Sequence, residues 1–258
     1  MSDLLSERDG AVLILTLNRP KSYNAFTRGL ALALQAALDD ADQDPDVRAV
    51  VITGNGKAFC AGQDLQELVG DDAIELGQIL QEHFNPVVQK IRACSKPIIA
   101  AVQGVAAGAG ANIAIACDIV LASEQASFIQ AFSKIGLIPD SGGTWTLPRI
   151  IGYQKASALM MTGDKLSAQD AERLGMVYKV YPAEVFEQQV KALAQRMAAM
   201  PTRALALTKQ ALNDAMGNDF EEQLEREDQL QREAAATEDY SEGVAAFLAK
   251  RTPTFSGN

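Results

Sequence analysis

Residues 97–117, PIIAAVQGVAAGAGANIAIAC, carry no charge, and they constrain the fold more than any other stretch of the chain. Their length is that of a membrane span, and Gly104 and Gly108 have the GxxxG spacing that membrane helices use to associate. Against a span stand the excess of Ala and Gly, the interruptions at Gln103 and Asn112, and the lack of a flanking Lys/Arg cluster. A buried strand over 97–103, a glycine loop over 104–110 and a buried helix over 111–116 fit better. That reading needs a large core around it. A chain of 258 residues with 48% apolar side chains supplies one.

Strand and helix signals alternate on both sides of this stretch. Strands are expected at 11–17, 47–53, 118–122 and 176–181, where apolar β-formers run between turn residues. Leu30, Leu34 and Leu38 repeat at spacing four and predict a helix over 27–42, with Thr27 as its cap. Further helices are expected from Asp64, over 74–93, over 154–162 and over 168–173. Segment 126–146 reads as a loop, and the chain from 184 onward reads almost wholly helical. Such alternation implies an α/β fold with parallel pairing, and a separate helical layer at the C-terminal end. The expected division is 1–195 for the core and its site, and 196–258 for the helical region.

The formal net charge of −10 argues against a nucleic-acid partner, which needs a basic face. Cys60, Cys94 and Cys117 give neither a disulfide framework nor a zinc ribbon, and read as small core residues. A single histidine, His83, makes a histidine-based metal site improbable; it reads as a surface or packing residue. No basic segment followed by an apolar one opens the sequence MSDLLSERDG. The expected setting is the reducing cytoplasm, with no membrane partner.

Three loops could carry chemistry. The glycine loop Gly104–Ala111 fails as a dinucleotide fingerprint, because Ile113 stands where a small residue is needed, and as a P-loop, because no Lys-Ser/Thr follows. Two readings remain: close packing of helix on sheet, or a helix start whose free N–H groups bind an oxyanion. Phe59–Leu65 is a second loop of small residues opening a helix, with Asp64 as its cap. Two such loops could aim two N–H groups at one carbonyl oxygen. In Pro139–Thr144, Asp140 is either another helix cap or a general base projecting into a pocket. Lys21, Lys57 and Lys250 are either solvated surface or phosphate contacts.

The ordered set of motifs resembles the crotonase, or enoyl-CoA hydratase/isomerase, superfamily. It comprises Leu17-Asn18-Arg19-Pro20 with Asn24-Ala25, Phe59–Leu65, Lys96–Val102, the glycine loop, Cys117-Asp118, Gly136–Pro139, Gly142-Gly143-Thr144 and Glu242–Leu248. The match spans essentially the whole chain. The resemblance implies a spiral of ββα units with a C-terminal helical trimerisation region, assembled as a homotrimer or a dimer of trimers. It implies no tightly bound cofactor, no metal, and coenzyme A as part of the substrate. The family's two oxyanion N–H groups fall on Gln63 and Ala109. Its CoA contacts fall on Lys21, Ser22, Tyr23, Ala61, Asp64 and Leu65, and on Phe247 and Lys250 near the C-terminus. Gly108, Phe132 and Trp145 are carried over as residues around the acyl group.

Departures from the family pattern bear on the reaction. The two glutamates that activate water in the hydratases are replaced by Asn112 and Phe132. Neither accepts a proton as a carboxylate does, and one such group is worth about 10²–10⁴ in rate. The remaining ionisable candidate is Asp140, which moves from cap toward base. One subfamily matches further in Gly104–Ala111, Ala131–Lys134, Gly136–Asp140, Gly142–Trp145 and Ala246–Arg251: the ring-1,2-epoxyphenylacetyl-CoA isomerases of bacterial phenylacetate degradation. It implies conversion of the ring epoxide to its oxepin isomer, and a 3-to-2 double-bond shift in enoyl-CoA. Rival readings are a 3,2-enoyl-CoA isomerase of fatty-acid oxidation, a dehalogenase with Asp140 as nucleophile, and a non-catalytic CoA-thioester-binding protein.

Overall fold

The computed structural model describes residues 2–70 and 73–258. Among the described residues ten strands build two sheets: β1 (Leu4–Asp9), β2 (Val12–Leu17), β3 (Ala49–Gly54), β4 (Ala58–Cys60), β5 (Ile98–Val102), β6 (Val105–Ala107), β7 (Ile119–Ser123), β8 (Ser127–Ile129), β9 (Lys165–Ser167) and β10 (Lys179–Tyr181). The larger sheet has the order β1-β2-β3-β5-β7-β10, and the smaller β4-β6-β8-β9. β2, β3, β5, β7 and β10 are mutually parallel, and β1 closes one edge as an antiparallel hairpin. β3, β5 and β7 are each followed at once by a strand of the smaller sheet, and then by helix. That repeat is the ββα spiral.

Side-chain alternation in the larger sheet divides the core. Leu13, Leu15, Leu17, Val50, Ile52, Ile98, Ala100 and Val102 point into the main core, which also holds helix Arg28–Gln43 and the smaller sheet. Val12, Ala49, Val51, Ile99, Ala101 and Leu121 point the other way, against Phe186, Val190 and Leu193 of helix Ala183–Ala198. Strands buried on both faces lose the polar alternation of a half-exposed strand, which is why they read as continuous apolar runs. Position 195 lies within helix Ala183–Ala198.

Residues 97–117 fold as β5, β6 and helix Ala109–Ala116, every residue of that helix being buried. No helix among the described residues is long and apolar enough to cross a membrane. The small residues are there for close approach: a Cβ on Gly110 would overlap the Cys60 carbonyl. Helix Arg28–Gln43 is capped as expected, the Thr27 hydroxyl accepting from the Leu30 N–H.

Several expectations need correcting. The glycine loop contains β6, and its helix starts at Ala109 and not 111. Loop 126–146 contains β8, a 3₁₀ turn at Ala131–Ile135 and the start of helix Gly143–Ile151. β1, β4 and β9 are strands where none was expected. Most of these pieces have three residues, too few for a period to show. The helix expected over 74–93 runs from Leu76 to Ala93 with a π turn at Leu80–Phe84, just ahead of Pro86. Proline lacks an N–H and crowds the carbonyl four residues back, that of Glu82. The Gln35 side-chain amide donates to that carbonyl, at 2.7 Å.

Candidate active site

The loop after β4 and the start of helix Ala109–Ala116 meet at Gly62. A Cβ placed there would lie 3.3 Å from the Ala109 nitrogen, so the backbones of the two loops are in contact. Gly108 precedes the helix at φ 53 and ψ −129, a conformation open to glycine, and turns the Ala109 N–H out of the β6 ladder. Ala109 is the first helical residue, so its N–H has no acceptor within the helix. Gln63 sits between two bonded neighbours: Phe26 donates to the Gly62 carbonyl at 2.7 Å, and Asp64 donates to the Phe26 carbonyl at 2.8 Å. Among the described residues, neither the Gln63 nor the Ala109 N–H has an acceptor. Two free donors at one junction suit a developing oxyanion. The Gln63 side chain is held back, its amide donating to Glu67 at 2.9 Å and to the Asp64 carbonyl at 3.1 Å.

Asp140 approaches the same helix from the turn before Gly143–Ile151. The N-cap of that helix is Gly142, which has no side-chain cap bond. Asp140 is therefore not the cap; its backbone carbonyl, not its carboxylate, takes the Gly143 N–H at 2.8 Å. The carboxylate accepts from the Ser141 hydroxyl at 2.8 Å, and no cation pairs with it among the described residues. Burial pushes its pKa above the usual carboxylate range, against the Ser141 hydroxyl and its own N–H, which pull it down. Ser141 itself is buried with φ 52, a left-handed conformation that a serine adopts at some cost. Sequence reasoning missed Ser141; the signal was a Ser-Gly-Gly run that lets the turn reverse sharply.

Asn112 and Phe132 flank this geometry. Asn112 lies one turn beyond Ala109 and donates to the Asp140 carbonyl at 2.9 Å. Phe132 is buried, and a Cβ on Gly108 would meet its ring at 3.8 Å. Gly108, Ala109, Asn112, Phe132 and Asp140 thus form one cluster.

The remaining expected residues are more scattered. Lys21, Ser22 and Tyr23 form an exposed 3₁₀ turn after β2. The Ala61 N–H donates to the Tyr23 carbonyl at 3.0 Å, which brings Ala61, Asp64 and Leu65 beside that turn. Asp64 is the cap it was expected to be, accepting from the Gln66 N–H at 3.1 Å, and it also pairs with Arg19 at 2.9 Å. Trp145 is 40% exposed and stacks against the Arg149 guanidinium, in an open cleft with Arg92 and Asn213. Phe247, on helix Glu238–Leu248, lies in a groove with Pro201, Tyr240 and Phe255, and Lys250 follows that helix at φ 52. None of these groove residues belongs to the loops around Gln63 and Ala109. The three cysteines are buried and free; burial pushes Cys60 up to about 12 and Cys94 to about 11, so neither is a nucleophile near neutrality. His83 is fully buried in the π turn, a packing residue.

The family model for enoyl-CoA hydratase/isomerase matches residues 7–258. The chain belongs to this family. It is accordingly an enzyme of acyl-CoA thioesters with the crotonase fold. It is 44% identical to the 1,2-epoxyphenylacetyl-CoA isomerase of Escherichia coli (strain K12), over 100% of this chain and 99% of that one. It is also 39% identical to the 2,3-dehydroadipyl-CoA hydratase of the same organism, over the full length of both. The crystal structure of the enoyl-CoA hydratase from Bacillus anthracis superposes with a TM-score of 0.94 at 32% identity, covering 99% of this chain and 100% of that one. The crotonase relatives therefore include both isomerases and hydratases.

Proposed function

We propose that this crotonase is an acyl-CoA isomerase that shifts the double bond of 3-enoyl-CoA to the 2 position and converts 2-(1,2-epoxy-1,2-dihydrophenyl)acetyl-CoA to its oxepin isomer. The observation that carries the reading is the Asp140 turn held against the helix that presents the Ala109 N–H: the Asp140 carboxylate is half-buried, unpaired with any cation among the described residues, and raised in pKa. A raised pKa suits a group that must take up a proton and give it back near neutrality. The thioester oxygen accepts from the Gln63 and Ala109 N–H groups, bonds that strengthen as charge builds on it. Asp140 takes the proton from C2, the electron pair delocalises over the dienolate, and the same carboxyl returns the proton to C4. One acid/base group is enough for that transfer. Hydration needs a second group to activate water, and Asn112 and Phe132 offer none. The 44% identical isomerase supports the ring substrate, while the 39% identical hydratase keeps hydration as the alternative to test.

Coenzyme A is bound as part of the substrate, by the exposed turn at Lys21, Ser22 and Tyr23 and by Ala61, Asp64 and Leu65. Phe247 and Lys250 reach it from their own chain or from a neighbouring copy in a trimer or a dimer of trimers, built through the helical region 196–258. Three buried free thiols are consistent with a reducing cytoplasm.

The test compares wild type with Asp140→Asn on a 3-enoyl-CoA, following the conjugated product by absorbance, with crotonyl-CoA hydration measured alongside. Wild type is expected to isomerise and not to hydrate, and the variant to lose about 10²–10⁴ in kcat. Activity retained in Asp140→Asn, or brisk hydration by wild type, overturns the reading.

A further inference from the structure

Asn112 stands where a hydratase glutamate would stand, yet it is not idle. It is 1% exposed, and its side chain makes two directed bonds. Its Nδ2 donates to the Asp140 carbonyl at 2.9 Å, and its Oδ1 accepts from Gln130 Nε2 at 2.8 Å. Gln130 is 4% exposed and sits between β8 and the turn that carries Phe132. The Asp140 turn rests directly on the Asn112 amide, since any Cβ at Gly143 would overlap it. The two amides thus tie three segments together: the helix that presents the Ala109 N–H, the segment that carries Phe132, and the turn that carries Asp140.

The relay also has a polarity. A carbonyl can only accept, so the Asp140 carbonyl requires Nδ2 of Asn112 to face it. Oδ1 of Asn112 then faces Gln130 and requires a donor there. Gln130 Oε1 is left buried without a partner among the described residues. An unpaired buried oxygen is costly, and folds keep such groups where the bonds on the other side matter.

We propose that Asn112 and Gln130 are positioning residues for the Asp140 base, the Gln130 amide fixing the orientation of Asn112 and Asn112 fixing the Asp140 turn against the oxyanion N–H groups. This rests on Asp140 as the base of the proposed reaction. Substituting an amide for a glutamate at 112 then has two effects: it removes a second acid/base group, and it supplies the donor that a carboxylate cannot. Catalysis is sensitive to such placement, because a base displaced by about 1 Å loses about 10²-fold.

The experiment measures exchange of the C2 protons of a 3-enoyl-CoA with deuterated water, together with isomerisation, across pH, for wild type, Asn112→Leu and Gln130→Glu, with thermal melting to confirm folding. Exchange reads proton removal by Asp140 even where no isomer accumulates. Asn112→Leu keeps the size of the side chain and loses the donor; kcat is expected to fall about 10- to 100-fold, with KM within about twofold. Gln130→Glu supplies a donor while protonated. Once ionised it can only accept, and so turns the Asn112 amide away from Asp140. Its kcat is expected to fall at high pH, where wild type holds a plateau, giving a bell in place of a single limb. A purely structural role would change stability and leave the shape of the pH profile alone. Wild-type kcat in Asn112→Leu, or a wild-type profile in Gln130→Glu, overturns the positioning role while leaving Asp140 as base. A wild type that neither exchanges nor isomerises overturns both.

Discussion

Asp64 and Asp140 look alike in the chain: each follows a turn of small residues or proline and stands just ahead of a helical segment. The molecule uses them in opposite ways. Asp64 caps its 3₁₀ turn and pairs with Arg19, so one oxygen accepts from the Gln66 N–H and the other from the Arg19 guanidinium. Asp140 gives the following helix no side-chain bond and, among the described residues, has only the Ser141 hydroxyl as a side-chain partner. A carboxylate that is fully engaged is structural. One that is half-buried and sparsely satisfied stores a cost, and its raised pKa expresses that cost. Asp118 supplies a third case: burial raises its pKa too, but Lys209 opposes that rise from 2.8 Å away, and the Ile98 N–H donates to the same carboxylate.

The contrast can be broken most sharply through activity. Asp140→Asn is expected to cost about 10²–10⁴ in kcat, whereas Asp64→Asn, which keeps the shape of the cap, should leave kcat within about threefold. Equal losses in steady-state assays on a 3-enoyl-CoA would erase the distinction. Lys209→Met tests the third aspartate. It leaves a partly exposed Asp118 without its cation, and a loss of about 1–2 kcal/mol is expected in urea unfolding. A loss below about 1 kcal/mol would show that the ion pair contributes little. Asp64→Ala removes the cap and the Arg19 partner together, with an expected cost of about 1–2 kcal/mol by the same measurement.

The smallest effect concerns the stability of Asp140→Asn against pH. The native pKa of Asp140 lies above its unfolded value of about 3.9, so ionisation destabilises the fold. Below both values the carboxyl is protonated in both states and the cost is absent. The cost grows as pH rises from the unfolded value through the native one and is complete above both. Asp140→Asn is therefore expected to melt slightly above wild type at pH 7–8 and to match it near pH 4. A variant that melts below wild type at neutral pH would mean that the carboxylate holds the turn together, as a structural aspartate does.

Much of this was legible in the chain. The strands at 12–17 and 49–54 and the Thr27-capped helix could be read because apolar period and capping chemistry are local. The three-residue strands were not legible, because β4, β6 and β8 exist only by pairing with each other across long stretches of chain. The same limit applied to the site. Loop motifs pointed to free N–H groups and the family resemblance put them on Gln63 and Ala109, but the meeting of the two loops at Gly62 is a tertiary fact. Asp140 was visible as cap or base, and nothing local separated the two.

The sequence by itself determined the alternation of parallel strands with helices and the buried glycine-rich centre, since each follows from residue type, period and order; the ββα spiral and the placing of Asn112 and Phe132 against the hydratase glutamates came from the family resemblance. Only the tertiary structure decided that Gly142 and not Asp140 caps its helix, that Gln63 turns its side chain away onto Glu67, and that Asn112 bonds the Asp140 turn and Gln130. The two Asn112 bonds join residues 28 and 18 positions apart in the chain. Burial and bonding, which set the chemistry of a carboxylate, belong to the folded surroundings and not to the residue.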